Sequence, residues 1–395
     1  MQRSISTLAS EMLSDQNLVV VSGEFGRYPS SIEHLIRQFL PTNRVLWVEI
    51  TGMRTPKLNL YDLKRAIGKV KRLVKGAESV ESTSRGIPPN IHLSSPVTLP
   101  FPSFSSVRHL NSSTLENTIR RETAALGFED FGVITTLPMT ADSVLKVGAA
   151  WSLYYCPDEW SLWPGLDRDL IENWEAKLLS SVDGIVVTSE KLKGTKSLPA
   201  KPARIVNHGV DVDHFSKANR PSTKNKVSFF GLFDERIDQE LLAYISKALP
   251  DVFFEIIGPV HCSIGPDLLN SNVIWTGHVP YQTLPDRLAD SSVLILPYLK
   301  NELTDNINPL KVKECLATGK PVVATAIAEL KNMNYVYIAN NQDEFLTQLR
   351  SAIAAKNYDT ASVIESMAAF SWKQKATELS SILSEMLANK LADNA

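Results

Sequence analysis

The sequence predicts an α/β protein made of two doubly wound, parallel-sheet domains that face each other across a cleft. Three observations predict it. Short β-branched runs such as Asn17–Ser22 (NLVVVS) and Ser292–Pro297 (SVLILP) are apolar along nearly their whole length, as strands covered on both faces must be. Amphipathic, helix-period stretches separate these runs. The alternation also starts a second time, after the polar stretch Ser216–Asn225, in a chain of 395 residues that is too long for one ordinary core.

Asn17–Ser22 is the first strand, closed by a turn with Gly23 and Gly26 and followed by a helix from about Pro29. Arg44–Glu49 (RVLWVE), Phe131–Thr136, Trp151–Cys156 and Gly184–Thr188 are further strands of the first half. In the second half Lys226–Gly231 (KVSFFG), Val252–Gly258 (VFFEIIG), Asn272–Gly277, Ser292–Pro297 and Pro321–Thr325 (PVVAT) repeat the pattern. Asn207–Phe215 (NHGVDVDHF) joins the halves. The expected domains are therefore 1–208 and 209–370, with a terminal helix of roughly Ser371–Lys390 in the segment 371–395 that packs back across the first domain. Ligands of such sheets sit at the carboxyl ends of strands, at switch points. The expected site lies in those loops, between the halves.

Composition excludes several classes. The net charge is −2, which gives no global field for nucleic acid. No apolar run approaches the ~18 residues of a spanning helix. The opening stretch MQRSISTLASEMLSDQN carries acids and no continuous apolar core, so it does not read as a secretory signal. Cys156, Cys262 and Cys315 are far apart and odd in number, which reads as a reduced, cytoplasmic protein. The seven histidines form no metal-ligand spacing, so no metal is expected.

Thr304–Thr325 (TDNINPLKVKECLATGKPVVAT) carries most of the chemistry. Asn308 suits a helix N-cap, Pro309 the first helical position and Gly319 the C′ position, so loop, helix and buried strand follow in turn. The helix N-terminus offers unpaired N–H groups and a partial positive charge that favour a phosphate. Lys311 and Glu314 are three apart and share one face. The lysine suits a diphosphate and the glutamate a ribose diol. A well-capped structural helix with a surface Lys–Glu pair is the plainer reading of the same residues.

With these stretches in view, the chain resembles the GT-B glycosyltransferases, in particular the nucleotide-sugar-dependent transferases of bacterial polysaccharide assembly (glycosyltransferase family 1/4-like). The resemblance covers about residues 17–380. It rests on Gly23–Leu35 (GEFGRYPSSIEHL), Tyr154–Gly165 (YYCPDEWSLWPG), Val187–Glu190 (VTSE), His208–Phe215, Phe230–Leu242, Asn272–Leu284 (NVIWTGHVPYQTL) and Asn301–Thr325, whose order and spacing are specific where each alone is weak. It implies two facing Rossmann-like domains and transfer of a sugar from a nucleoside diphosphate sugar to a hydroxyl of a lipid-linked or polysaccharide acceptor. A UDP-sugar is favoured over a GDP-sugar, and neither cofactor nor metal is expected. In that family a helix-borne acid holds the donor ribose, and Glu314 matches it. Many retaining members carry a second Glu eight positions earlier, where this chain has Asn306. The loop after the first strand of the second domain reads GLFDERIDQE, with Arg236 as its only basic residue. The diphosphate contacts then fall to Lys311, Arg236 and backbone amides, and retention or inversion stays open.

The expected donor side comprises Glu314, Asn308, Asn306, Thr304, Gly231, Tyr281 near the base, and Gly23 in the first glycine turn. Asp158 is the leading acid of the acceptor side, beside Glu159 and Trp160 in a segment crowded with Trp151, Trp163, Trp174, Tyr154 and Tyr155. Aromatic faces pack on sugar C–H surfaces, and a carboxylate takes a hydroxyl proton or orients it. Arg27 and His34 are further cleft candidates. The alternative is that the tryptophans are core and the acids solvated. His208 either satisfies a hinge or touches substrate. Tyr61–Gly76 (YDLKRAIGKVKRLVKG) sets Lys64, Arg65, Lys69, Lys71, Arg72 and Lys75 against one acid, Asp62. It reads as a helix lying on the anionic inner face of the cytoplasmic membrane or as an ordinary surface helix. Two other functions are carried: a degenerate GT-B-like protein that binds nucleotide sugar or glycan without turnover, and, more weakly, a nicotinamide dehydrogenase, which lacks its GxGxxG turn here.

Overall fold

The computed structural model describes residues 12–26, 30–50, 87–99, 104–163, 165–221, 225–269, 272–331, 333–355 and 358–393. The chain forms two compact units. One comprises Met1–Thr188, Leu192–Val206 and Ala376–Ala395, the other Ser189–Lys191 and Asn207–Lys375. Arg27 and the basic stretch Tyr61–Gly76 lie outside the described residues.

The first unit is built on β1 (Asn17–Ser22), β2 (Arg44–Glu49), β3 (Ile91–Ser94), β4 (Gly132–Thr135), β5 (Trp151–Cys156), β6 (Gly184–Val187) and β7 (Arg204–Ile205). All pair in parallel, in the order β3-β2-β1-β4-β5-β6-β7. Val19 and Val21 of β1, Leu46 and Val48 of β2 and Val133 of β4 are fully buried, which is why these runs carry no polar alternation. The second unit repeats the plan with β8 (Lys226–Phe230), β9 (Phe253–Ile257), β10 (Val273–Gly277), β11 (Val293–Leu296), β12 (Val322–Thr325) and β13 (Val336–Ala339), again all parallel, in the order β10-β9-β8-β11-β12-β13. Both sheets are therefore doubly wound. Strand order reverses between β1 and β4 in one and between β8 and β11 in the other, so the loops after β1 and β8 open at switch points.

Three strands were not expected from the sequence: β3 (IHLS), β7 (RI) and β13 (VYIA). Each is a sheet edge and only partly covered, so none shows the continuous apolar run that marks the central strands. The first helix begins at Ser31, not Pro29, because the Ser30 side chain caps it by accepting from the Glu33 amide. The last helix runs from Trp372 to Asp393, and from Ala376 onward it belongs to the first unit. Among the described residues no helix is long and apolar enough to cross a membrane.

Candidate functional site

The strongest cluster stands at the carboxyl end of β8. Gly231 leaves the strand at φ +130°, and a Cβ there would lie 3.0 Å from Lys311 Cε, so glycine lets the lysine lie across the turn. Lys311 Nζ sits 5.0 Å from the centre of the Phe230 ring and 2.7 Å from Glu314 Oε2. Both belong to the Leu310–Ala317 helix, whose other face buries Val312, Cys315 and Leu316. The lysine is partly exposed and the glutamate largely buried. The pair is thus a cation available at a strand end, held by a carboxylate in a desolvated setting.

Tyr281 borders the same cluster. Its ring stacks on His214 with centroids 4.1 Å apart, and His214 Nε2 lies 2.9 Å from the Tyr281 carbonyl oxygen, to which it donates. Burial first, then the negative charges of Glu314 and Asp211, push the tyrosine hydroxyl up. Burial pulls the His214 ring down against the charge of Asp211. This half-buried aromatic wall beside a carboxylate and an ammonium suits a flat, polar-edged ligand.

The remaining donor candidates are engaged within the protein. Arg236 forks onto Asp234, with Nε to Oδ1 at 2.9 Å and Nη2 to Oδ2 at 2.9 Å, so part of its charge is already matched. Thr304 closes a capping box with Asn301 and donates to the Leu299 carbonyl. Asn306 Nδ2 donates to the Glu302 carbonyl at 2.7 Å. Asn308 is not the N-cap expected of it. Pro309 occupies that position with extended geometry, while Asn308 Oδ1 accepts from Lys313 Nζ at 2.6 Å and its Nδ2 donates to Glu329 Oε2 at 3.0 Å. The ammonium of Lys313 takes the side-chain oxygen that a cap would have used. Thr304, Asn306 and Asn308 shape the loop that delivers Lys311. Gly319 meets its expectation, in the left-handed region just past the helix at φ +72°.

Lys313 also donates to the His208 carbonyl at 2.8 Å. His208 is buried, and burial with the Lys313 charge pushes its ring down to about 3, so it is neutral at ordinary pH. The contact at this hinge is thus made by the His208 backbone carbonyl.

In the first unit, the glycine turn after β1 is occupied from within. Phe25 and Gly26 donate their amides to Glu49 Oε1 and Glu33 Oε2, each at 2.9 Å, and Trp47 Nε1 donates to the Gly23 carbonyl. Two carboxylates already hold these amides, an arrangement that disfavours an anion there. Gly26 needs its φ of +75°, whereas a Cβ on Gly23 would meet nothing within 4 Å. His34 is half-buried on the Ser31–Phe39 helix.

Asp158 follows β5 on a short loop and is partly exposed. Glu159 is buried. It meets Lys196 Nζ at 2.6 Å and accepts from Ser161 Oγ at 2.8 Å, so it faces inward. The aromatic crowd divides. Trp151, Trp174, Tyr154 and Tyr155 are core. Trp160 and Trp163 are partly exposed, their ring centroids 5.8 Å apart. Sequence reasoning missed His214, Asp234, Glu329, Lys313, Glu175 and Lys196. For His214 the signal was its place in the stretch HGVDVDHF, which also holds His208.

A doubly wound parallel sheet in each unit is the architecture of the GT-B fold. Residues 224–355 match the family model described as Glycosyl transferases group 1. That segment holds Phe230, Gly231, Tyr281, Lys311 and Glu314. The chain is also similar to a Bacillus subtilis (strain 168) protein named for a glycosyltransferase of teichuronic acid biosynthesis, TuaH, at 26% identity over 211 residues, 47% of this chain and 53% of the relative. The match thus spans about half the length of that relative. Among solved structures, an E. coli trehalose-6-phosphate protein bound with UDP-2-fluoro glucose shares the fold at TM-score 0.65 and 12% identity, covering 94% of this chain and 99% of that one. A glycosyltransferase from Rickettsia africae ESF-5 does so at TM-score 0.61 and 13% identity, covering 95% and 100%.

Proposed function

We propose that the chain is a glycosyltransferase that moves a hexose-type sugar from a nucleoside diphosphate sugar to a hydroxyl of a lipid-linked or polysaccharide acceptor. One observation carries this reading: Lys311, paired to Glu314, lies over the Gly231 turn and the Phe230 ring at the second unit's switch point. A diphosphate arriving there takes over the lysine's ammonium, which stabilises the leaving group as its negative charge grows. Glu314 is then released toward the ribose hydroxyls, and Tyr281 borders the base. Arg236 adds positive charge from its fork on Asp234. These groups do the work a metal would do, so the reaction is metal-independent on this reading. The E. coli neighbour is bound with a UDP-sugar analogue and TuaH is named for a polymer, which favours a uridine donor and a glycan acceptor here. Asp158 is the acceptor-side acid. The basic stretch Tyr61–Gly76 brings the protein to the anionic inner membrane surface. Replacing its six Lys and Arg residues by Gln weakens sedimentation with anionic vesicles at low salt if so, and the wild type must sediment.

Binding without turnover is the second reading. Asn306 stands where many retaining transferases have an acid, its amide turned into its own loop, and Arg236 is already forked.

The test is calorimetry with UDP and GDP, followed by transfer to a mixed acceptor panel. In Asp158→Asn, transfer falls by about 10²–10⁴-fold with donor binding intact if Asp158 is a general base. Transfer near wild type makes Asp158 structural. Donor binding with no product on any acceptor favours the second reading.

A further inference from the structure

The loop that carries Asp158 is tied down by a buried charge cluster outside the donor site. Lys196, the last residue of the Glu190–Lys196 helix, is only 7% exposed in its side chain. Its Nζ lies 2.6 Å from Glu159 Oε2 and 2.6 Å from Glu175 Oε2. Glu175 comes from the inward face of the Arg168–Ser181 helix, and its Oε1 accepts from Tyr154 Oη at 2.7 Å. Cys156 Sγ is 3.6 Å from that same oxygen and 3.2 Å from the Asp158 carbonyl oxygen. Burial holds the Tyr154 hydroxyl and the Cys156 thiol neutral. Burial works against the Lys196 charge, but Glu175 and Glu159 outweigh it and the ammonium persists. One cation therefore serves two buried carboxylates, one on a rigid helix and one on the loop.

We propose that Lys196 is a positioning residue for the acceptor loop: by bridging Glu175 to Glu159 it fixes the backbone on which Asp158 stands. The proposal deepens the reading of Asp158 as the acceptor-side acid and rests on it. The physics is asymmetric. Without the ammonium, two carboxylates remain buried against each other, and one must take a proton or leave. Glu175 is held in a helix with its partner on β5. Glu159 belongs to the loop, so the loop gives way and Asp158 moves with it. Misplacement by about 1 Å is enough to cost about 10²-fold in rate.

The test compares Lys196→Met, Glu159→Gln and the double variant Lys196→Met/Glu159→Gln. Glu159→Gln leaves Lys196 paired with Glu175 and strands no buried charge, so it covers the case in which Lys196→Met fails to fold. The double variant removes one of the two stranded carboxylates and recovers melting temperature, but the tether stays cut. Hydrogen exchange over residues 157–163 rises in all three. The turnover number for transfer falls by about 10²-fold, while UDP binding is unchanged. Unchanged exchange in that loop overturns the proposal by itself, whatever Asp158 does. Transfer that recovers in the double variant together with melting temperature reduces Lys196 to a stability element and also overturns it. Faster exchange with unaltered transfer, in a protein whose Asp158→Asn variant is also fully active, instead removes the acceptor reading on which the proposal rests.

Discussion

Lys311 and Glu314 hold each other before any ligand arrives, at 2.7 Å. On the proposed reading each is the other's competitor for the donor, so the two substitutions are expected to have opposite signatures. Glu314→Ala removes one or two charge-assisted hydrogen bonds to a ribose and weakens uridine by about 1.5–3 kcal/mol. It also frees the lysine, so pyrophosphate binds no worse. Lys311→Met leaves a largely buried carboxylate uncompensated beside the phosphates, so pyrophosphate weakens while uridine holds, and turnover falls more than donor affinity. Calorimetry with the two fragments reads both, and equal losses for both fragments in each variant would dismiss the assignment. This pair was legible in the sequence because three-residue spacing on a helix is a statement about one face. Lys313 was not. Two positions on, it reads as another surface lysine, yet it is buried with its ammonium on the His208 carbonyl and Asn308. Spacing within NPLKVKE does not separate an inward lysine from an outward one, because one of its two partners, the His208 carbonyl, comes from the interdomain stretch 105 residues away.

At the scale of elements, the second sheet ends in glycine. Gly231, Gly258 and Gly277 close β8, β9 and β10, all with positive φ, and the Gly231 amide bonds Ile257 while the Gly258 amide bonds Gly277. Gly258 is the tightest. At φ +145°, a Cβ there would sit 1.8 Å from the Gly231 carbonyl oxygen. Gly258→Ala must therefore part the ends of β8 and β9 directly beneath Lys311. The backbone conformation alone costs about 1–3 kcal/mol, and the clash adds to it. A lowered melting temperature with weakened UDP binding is expected. Gly194→Ala, on an exposed helical turn with open space at its Cβ, is the control and should gain about 0.5–1 kcal/mol. A Gly258→Ala protein that melts and binds like the wild type would mean the strand ends are not held this closely. The sequence shows a glycine after each of these strands but not why. The close approach of Gly231 to Gly258 is a property of neighbours in the sheet, and strand order is not written in any one strand. For the same reason the edge strands β3, β7 and β13 escaped notice while the central strands did not.

At the scale of the whole molecule, chain order and architecture part company. The Trp372–Asp393 helix follows the second unit in sequence, yet from Ala376 it completes the first. Leu379 and Leu383 are fully buried there, and Met386 covers Gly184 so closely that a Cβ on that glycine would reach 2.6 Å from its sulfur. Ser380 Oγ accepts from the Leu13 amide at 2.6 Å, and the helix adds ion pairs from Glu385 to Arg204 and from Lys390 to Asp183. The ion pairs are partly or well exposed and decide little. The two leucines contribute about 1.5–3 kcal/mol each, a large share of the ~5–15 kcal/mol that a domain has. The second unit does not need the segment. Its own closing contacts end at Lys375, with the Val210 amide on the Phe370 carbonyl at 2.8 Å and Lys375 over the Phe370 ring. A chain ending at Lys375 should therefore lose the first unit and keep the second. Calorimetry should then show one transition where the full chain shows the melting of both units, and UDP should still raise the one that remains. Hydrogen exchange should rise along β1 to β6 while β8 to β12 stay protected. If the truncated chain protects β1 to β6 as the full chain does, the first unit closes without this helix. The C-terminal segment would then be an appendage, not the last element of the first unit.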